Sequence, residues 1–137
     1  MDAVALQATL DELAADYTKR LGLNVEVVGP EGVSLALPVT PELVHAGGVL
    51  CGQAILAAAD TAMLLAMIAK LGAFRPMTTV QLQINFLRPV PETTSEVAVV
   101  ARILRLGRNL SYGEVEFKTP DGKLMAHATS TYALLDS

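Results

Sequence analysis

A long apolar segment with a single charge constrains this chain most. Between Val49 and Ala69 the sequence consists largely of alanines, leucines and methionines, and Asp60 is its single charged residue. A helix that is apolar on all sides needs cover on most sides, either from a membrane or from a protein core. A central aspartate costs about 2.5–3.5 kcal/mol on membrane-insertion scales, which favours the protein core. The segment therefore predicts a buried central helix over about residues 49–71 rather than a membrane span.

The composition indicates one folded domain over residues 1–137. Of these residues 52% are hydrophobic, which excludes a disordered chain. The net charge is −4 and no basic run occurs, so a nucleic-acid partner is not expected. Cys51 is the single cysteine, which excludes an intrachain disulfide, and the N-terminus lacks a signal-peptide pattern. We therefore expect a cytoplasmic protein.

Periodicity outside the apolar segment predicts the other elements. Apolar residues at helical spacing predict an N-terminal helix over about residues 3–21, which Gly22 ends. Two short strands are expected on either side of the turn at residues 29–32. After residue 76 the period changes to two and predicts four long antiparallel strands. In the first of these strands, the residues expected to face the core are Val80, Leu82, Ile84 and Phe86.

A twisted antiparallel sheet curled around one apolar helix would give that helix the cover it needs. The expected fold class is therefore α+β, in the arrangement called the hot-dog fold.

Asp60 needs either a partner or a function, because an ionised carboxylate is costly to bury alone. Gln53 lies two turns before Asp60, so both side chains project from nearly the same face of the predicted helix. One interpretation is a structural aspartate that is hydrogen-bonded to a neighbouring segment. The other is a general base or nucleophile in a dry cleft.

The loop before the helix is rich in glycine. Gly47, Gly48 and Gly52 would let the backbone approach a ligand closely. The first amides of a helix carry unpaired donors, which can hold a developing oxyanion. A loop that simply requires positive φ angles explains the same glycines.

Cys51 and His127 are two further residues with side chains that could take part in catalysis or metal binding. Cys51 near a helix N-terminus fits an activated thiol with His45 as its base, and it equally fits a small buried hydrophobe. His127 is expected to be packed or at the surface, and no metal partner occurs at suitable spacing. The sequence predicts no metal site.

Four segments together resemble a known family. They are "LCGQAILAAADTA", "TTVQLQINFLRP", "LGRNLSYGEVEF" and "DGKLMAHATSTY". Over residues 41–135 the chain resembles the hot-dog acyl-CoA thioesterases of the phenylacetic-acid-degradation type. In that family an Asn and a His-Gly-Gly motif precede the catalytic Asp, which follows the His by nine residues. Counted back from Asp60, the His falls on Cys51, the two glycines on Gly52 and Gln53, and the Asn on His45.

The resemblance implies hydrolysis of an acyl-CoA thioester. Asp60 would activate water or attack the carbonyl, the amide of Gly52 would polarise that carbonyl, and Thr79, with His45, would hold the water. No metal or redox cofactor is implied, since coenzyme A enters as part of the substrate. The expected substrate contacts are Gln53, Cys51, Gly48, Asn85, Arg88 and Arg108, the two arginines being either phosphate ligands or solvated charges.

Two other functions of the same fold are alternatives to thioester hydrolysis. A hot-dog hydratase or dehydratase needs an Asp–His pair about five residues apart, and the sequence after Asp60 does not supply that His. A non-catalytic acyl-CoA-binding protein of the same fold would explain the loss of the usual His and Asn.

Helix geometry predicts self-association. Gly52 and Asp60 are eight residues apart, which is about 12 Å along a helix axis, so one carbonyl cannot contact both. The two groups at one site must then come from different chains of a homodimer. The resemblance implies the same arrangement, often with two dimers joined as a tetramer.

Overall fold

The apolar segment forms one uninterrupted helix at the centre of the computed structural model, which describes residues 1–135. This helix, α3, spans Gly52–Leu71 and ends at Gly72, whose φ of 84° is left-handed. Its most apolar 18-residue window has a mean hydropathy of 1.8, as a membrane span would, but 61% of that window is buried inside the protein. The predicted core helix is therefore confirmed.

Helix α3 begins at Gly52, three residues after the predicted start at residue 49. Leu50 pairs with Val44, and Val49 pairs with Pro91, in isolated bridges. Cys51 is extended, with φ −70° and ψ 147°, and serves as the N-cap. Bridge pairing holds these residues in extended backbone, so the helix begins at Gly52.

Six antiparallel strands form one sheet around α3. The elements in chain order are α1 (Ala3–Leu13), α2 (Asp16–Lys19), β1 (Asn24–Gly29), β2 (Gly32–Pro38), a 3₁₀ turn (Pro41–Leu43), α3, β3 (Met77–Phe86), β4 (Glu96–Leu106), β5 (Leu110–Lys118) and β6 (Leu124–Leu134). The strand order is β1-β2-β4-β5-β6-β3, which leaves β1 and β3 at the edges. The α+β hot-dog arrangement is thus confirmed.

The sheet approaches α3 closely at a glycine of β5. A Cβ atom on Gly113 would lie 2.6 Å from the sulfur of Met63 and 2.6 Å from the carbonyl oxygen of Arg102. A side chain larger than hydrogen would therefore separate β5 from both the helix and β4. Gly113 allows the sheet to close on α3.

The prediction of a single N-terminal helix over residues 3–21 is wrong, because two helices, α1 and α2, occupy that stretch. Ala14 and Ala15 lie between them with extended backbone, ψ 143° and 155°. Alanine is the strongest helix former, so local preference does not explain the break. Buried Leu6 and Leu10 hold α1 against the core, and the chain then changes direction to pass over α3.

The predicted alternation of β3 is also wrong at two residues. Val80 and Phe86 were expected to face the core, but they are 58% and 54% exposed. A β-bulge causes the first difference: Thr79 pairs with Tyr132 and Gln81 with Thr131, so Val80 is an extra residue. The bulge reverses the side-chain phase and turns Thr79 inward. Phe86 is the last residue of β3, where the rest of the chain leaves about half of its side chain exposed.

Candidate active site

The carboxylate of Asp60 is held by two hydroxyl groups, one from β3 and one from β6. Thr79 donates a hydrogen bond from its Oγ1 to Oδ1 of Asp60 at 2.7 Å. The hydroxyl of Tyr132 lies 2.7 Å from the same Oδ1 and 2.8 Å from the main-chain oxygen of Asp60. Within residues 1–135 no side chain or amide donates to Oδ2. One carboxylate oxygen is therefore fixed by two hydroxyls, and the other has no donor among the described residues.

Register explains why these two hydroxyls meet at one carboxylate. Thr79 and Tyr132 are directly paired across β3 and β6, one residue before the bulge. Without the bulge, Thr79 would point to the outer face of the sheet, because successive side chains of a strand alternate. An irregularity of the edge strand thus builds the site.

Tyr132 was not among the residues predicted for the site. It is 3% exposed, and burial, followed by its contact with Asp60, raises the pKa of its hydroxyl well above the ordinary range. It therefore remains a protonated donor at any physiological pH. Strand alternation in "ATSTYALL" places this tyrosine inward, and a buried tyrosine hydroxyl nearly always has a partner. That signal could have identified it.

Asp60 also lies at the wall of an apolar cavity of about 180 Å³ between the N-terminal helices and α3. It is the single charged residue among those that line this cavity, which are Thr9, Leu10, Leu13, Ala14, Ala15, Thr18, Asp60, Thr61, Leu64, Leu65, Ile68 and Tyr132. We refer to it as the α1–α3 cavity. Asp60 is half-buried there, so its carboxylate is only partly open to solvent.

The start of α3 lies beside a second cavity. Gly52 and Arg88 both line this space of about 330 Å³, together with Phe86. As the first residue of α3, Gly52 carries a main-chain N–H that the helix itself cannot satisfy. A Cβ on Gly52 would lie 3.4 Å from the Phe86 ring, so this ring packs directly beside the start of α3. The predicted oxyanion donor and one predicted phosphate ligand are therefore neighbours.

His45 and Cys51 have local structural contacts. The Nδ1 atom of exposed His45 accepts a hydrogen bond from the amide of Gly47 at 2.8 Å. Cys51 is half-buried, and its amide donates to the carbonyl of Leu43 at 2.8 Å. Gly48 has a φ of 78°, so the turn requires glycine there. Within one chain these residues precede α3, and the start of α3 at Gly52 lies about 12 Å along the helix axis from Asp60.

The remaining predicted contacts fall on accessible surfaces. Gln53 is exposed on the same side of α3 as Leu56 and half-buried Asp60. Asn85 is exposed on β3 opposite His127. His127 is itself half-buried, with Nε2 2.9 Å from Oε1 of Glu114. No group of three or more metal-ligating side chains occurs within residues 1–135.

The two predicted phosphate ligands lie at opposite ends of the sheet. Arg88 follows the end of β3, and its amide bonds to Met125 at the start of β6. Arg108 lies in the β4–β5 turn, next to Asn109, whose carbonyl accepts from Leu134 at the end of β6. The length of a ten-residue strand, about 30 Å, separates them. One chain cannot bring both arginines to one phosphate group.

Known proteins match this chain over most of its length. A family model described as the thioesterase superfamily matches residues 47–126. A protein of Saccharolobus solfataricus named "Putative esterase" is 33% identical over 115 residues, which cover 82% of this chain and 80% of the relative. A thioesterase structure from Haemophilus influenzae has a TM-score of 0.85 at 24% identity, with 96% and 90% of the two chains covered. The E. coli PaaI protein from the phenylacetic acid degradation operon has a TM-score of 0.83 at 18% identity, with 98% and 94% covered.

Proposed function

This chain belongs to the thioesterase superfamily, and from that membership we propose that it hydrolyses the thioester of an acyl-CoA with Asp60 as the catalytic carboxylate. The family predicted from the sequence is thereby confirmed, whereas the substrate and the residue roles are the proposal. The observation that carries it is the environment of Asp60. Two hydroxyls hold one of its oxygens, the other oxygen has no donor within residues 1–135, and an apolar cavity adjoins it.

The reaction needs a base for water and a donor for the carbonyl oxygen. Asp60 takes a proton from water through Oδ2 while the water oxygen bonds to the thioester carbon. The amide of a Gly52 stabilises the negative charge on the carbonyl oxygen. The carbon–sulfur bond then breaks, and the proton on Asp60 passes to the coenzyme A thiolate. Direct attack by Asp60, followed by hydrolysis of the anhydride, uses the same atoms.

A complete site of this kind requires two chains. Gly52 and Asp60 lie about 12 Å apart on one helix, so one carbonyl cannot contact both. Strand β3 lies at the edge of the sheet, with Thr79 near its start and Phe86, beside Gly52, at its end. Antiparallel pairing of two β3 strands about a two-fold axis brings the start of each strand to the end of the other. Asp60 then adjoins Gly52 of the partner subunit.

The same pairing gives both arginines a common role. Arg108 lies at the end of the sheet where β3 starts, and Arg88 lies where β3 ends. In the homodimer, Arg108 of one chain therefore approaches Arg88 of the partner subunit, at the edge of one composite site. Arginine suits phosphate recognition, so this pair would hold the phosphates of coenzyme A. Gln53, Asn85, Gly48, Cys51 and His45 are proposed to line the same interface, and association of two dimers stays a prediction.

Replacement of Asp60 by asparagine tests the proposal. The amide keeps the shape of the side chain but cannot accept a proton, so we expect kcat to fall at least about a hundredfold with the fold intact. The measurement is release of free thiol from a panel of acyl-CoA thioesters. Asp11→Asn, at an exposed carboxylate of α1, is the matched control and should retain wild-type rates.

Two results would contradict parts of the proposal. A folded Asp60→Asn variant with the wild-type rate would show that Asp60 is not catalytic. Wild-type protein that binds acyl-CoA but releases no thiol from any thioester would be a binding protein rather than a hydrolase.

A further inference from the structure

Helix α1 covers one edge of the sheet through a single side chain. The Oε1 atom of Gln7 accepts a hydrogen bond from the amide of Val25 at 2.7 Å, and its Nε2 donates to the carbonyl of Leu23 at 3.2 Å. Strand β1 begins at Asn24, so both groups belong to the main chain where an edge strand starts. An edge strand presents unpaired N–H and C=O groups that another strand can bind. Gln7 occupies one donor and one acceptor of this kind.

A third hydrogen bond fixes the orientation of the Gln7 carboxamide. Its Nε2 also donates to Oδ1 of Asp11, one turn further along α1, at 3.2 Å. A carboxylate only accepts, so the nitrogen of the carboxamide faces Asp11 and the oxygen is left to face Val25. Buried Leu6 and Leu10 hold α1 against the core on either side of Gln7. The contact with the edge is therefore positioned by the core and oriented by Asp11.

Beyond Val25, strand β1 carries two other features that oppose strand pairing. Glu26 is exposed, and the pairing with β2 shifts there, so that it is an extra residue in a β-bulge. Val27, the next residue, is 58% exposed. Charged residues and bulges on edge strands hinder the addition of another strand. Gln7, Glu26 and the bulge thus act at the same edge and in the same sense.

The opposite edge of the sheet explains why β1 needs this protection. In the proposed homodimer the two β3 strands pair, which joins two six-stranded sheets and leaves one β1 strand at each outer end. Antiparallel pairing of β1 with β1 of another dimer would leave a further free β1 strand at the far end. Such an assembly does not close, and it grows with every dimer that is added.

We propose that the β1 edge is a latent self-association surface that Gln7 keeps closed, and that its partner after loss of Gln7 is β1 of a second copy of this chain. An antiparallel pair related by a two-fold axis matches the donors and acceptors of a strand with those of its copy. The valines of the β1 sequence NVEVVG also favour strand pairing. The inference does not depend on the proposed hydrolysis, in which neither Gln7 nor β1 takes part.

Replacement of Gln7 by methionine tests this proposal. Methionine keeps the side-chain length and the helix preference but removes both hydrogen bonds to the edge. The weight-average mass, measured by analytical ultracentrifugation, should rise about twofold or more over about a tenfold increase in Gln7→Met concentration. Wild-type protein should show no such growth. Ala5→Met, which places the same side chain at an exposed position of α1, is the matched control and should behave as wild type.

A second substitution locates the association. Lysine on an edge strand opposes pairing, so Val27→Lys added to Gln7→Met should restore the wild-type mass. Leu104→Lys adds the same charge at a residue of β4 that is 54% exposed, and it should leave the association of Gln7→Met unchanged. This pair separates closure of the β1 edge from a general gain in solubility.

Hydrogen exchange of the Val25 amide tests the closure in the wild-type protein itself. Because Gln7 binds this amide, it should exchange at least about tenfold more slowly in wild type than in dilute, unassociated Gln7→Met. Exchange at the rate of an unprotected amide in wild type overturns the proposal, whatever the variants do.

The mass measurements have equally definite outcomes. Growth of Gln7→Met that Val27→Lys reverses and Leu104→Lys does not supports a latent β1 surface. A folded Gln7→Met with the wild-type mass at every concentration overturns it. Growth that both lysines relieve equally, or that neither relieves, also overturns it, because the association then does not occur at β1.

Discussion

At the scale of single residues, the site depends on how Asp60 is held. A carboxylate on an apolar helix could rotate about its side-chain bonds, but two hydroxyls fix the same oxygen at 2.7 Å. Hydrogen bonds to a charged acceptor are stronger than neutral ones. In the proposed reaction, the two donors would hold the free oxygen in one orientation toward the attacking water.

Tyr132→Phe removes one of these donors and keeps the ring in the core. We expect kcat to fall at least about tenfold, since one hydrogen bond to a charged group contributes about 1.5–3 kcal/mol and Thr79 retains the other. KM should stay nearly constant, because the hydroxyl contacts Asp60 rather than the substrate. Steady-state kinetics on one thioester measure both constants.

The control for that variant is Tyr112→Phe, at a tyrosine of β5 that is 41% exposed and should be neutral. Equal losses of activity and thermal stability in Tyr132→Phe, with kcat per folded molecule unchanged, would show that Tyr132 only packs the core.

At the scale of elements, the bulge in β3 decides which side chains reach the site. Val80 has no partner opposite it in β6. The side chains before it therefore point to the opposite face of the sheet from the one that uninterrupted alternation predicts. This places Thr79 inward and Val80 outward, the reverse of uninterrupted alternation.

Deletion of Val80 should restore regular alternation and rotate Thr79 away from Asp60. We expect kcat to fall at least about tenfold, as for the loss of a donor at the carboxylate, while circular dichroism shows an intact fold. Val80→Ala keeps the length of the strand and should retain nearly full activity, since Val80 is 58% exposed. A folded deletion variant with wild-type kcat would mean that Thr79 does not need this register.

At the scale of the whole molecule, the separation of Gly52 from Asp60 makes the dimer the expected catalytic unit. The helix geometry places the two groups about 12 Å apart within one chain. The edge position of β3 leaves a strand free to pair with a second copy. Both features support the proposed dimer with two composite sites.

Mixed dimers test this directly. Subunits with Asp60→Asn and subunits with Gly52→Pro should each be inactive alone and recover activity after exchange. Proline deletes the amide donor and is tolerated at the first helical position, and Cys51 before it already has the extended backbone that proline requires. Half of the dimers would be mixed with one intact site each, so about a quarter of wild-type activity is the ceiling.

Subunit exchange has to be verified, for example by mass spectrometry of differently tagged chains. Verified exchange without any recovery would mean that each chain builds its own site. Exchange of Asp60→Asn with Asp60→Asn is the matched control and should stay inactive.

The sequence alone determined the elements whose signals are local. The run from Val49 to Ala69 is apolar on all sides, so it had to become the covered helix, and Gly72 had to end it. Alternation predicted the long strands, and the isolation of Asp60 in apolar surroundings predicted the catalytic candidate. These signals depend on residues within a few positions of one another, so they can be read along the chain.

Tertiary structure decided the features that depend on distant residues. Tyr132 reaches Asp60 from 72 positions away and Thr79 from 19, and the contact of Thr79 depends on a bulge that local alternation does not predict. The break at Ala14 opposes its own helix preference and follows from packing over α3. The physical reason is the same in each case. A hydrogen bond or a cavity needs atoms from several elements, and their relative positions exist only after the sheet has closed around the helix.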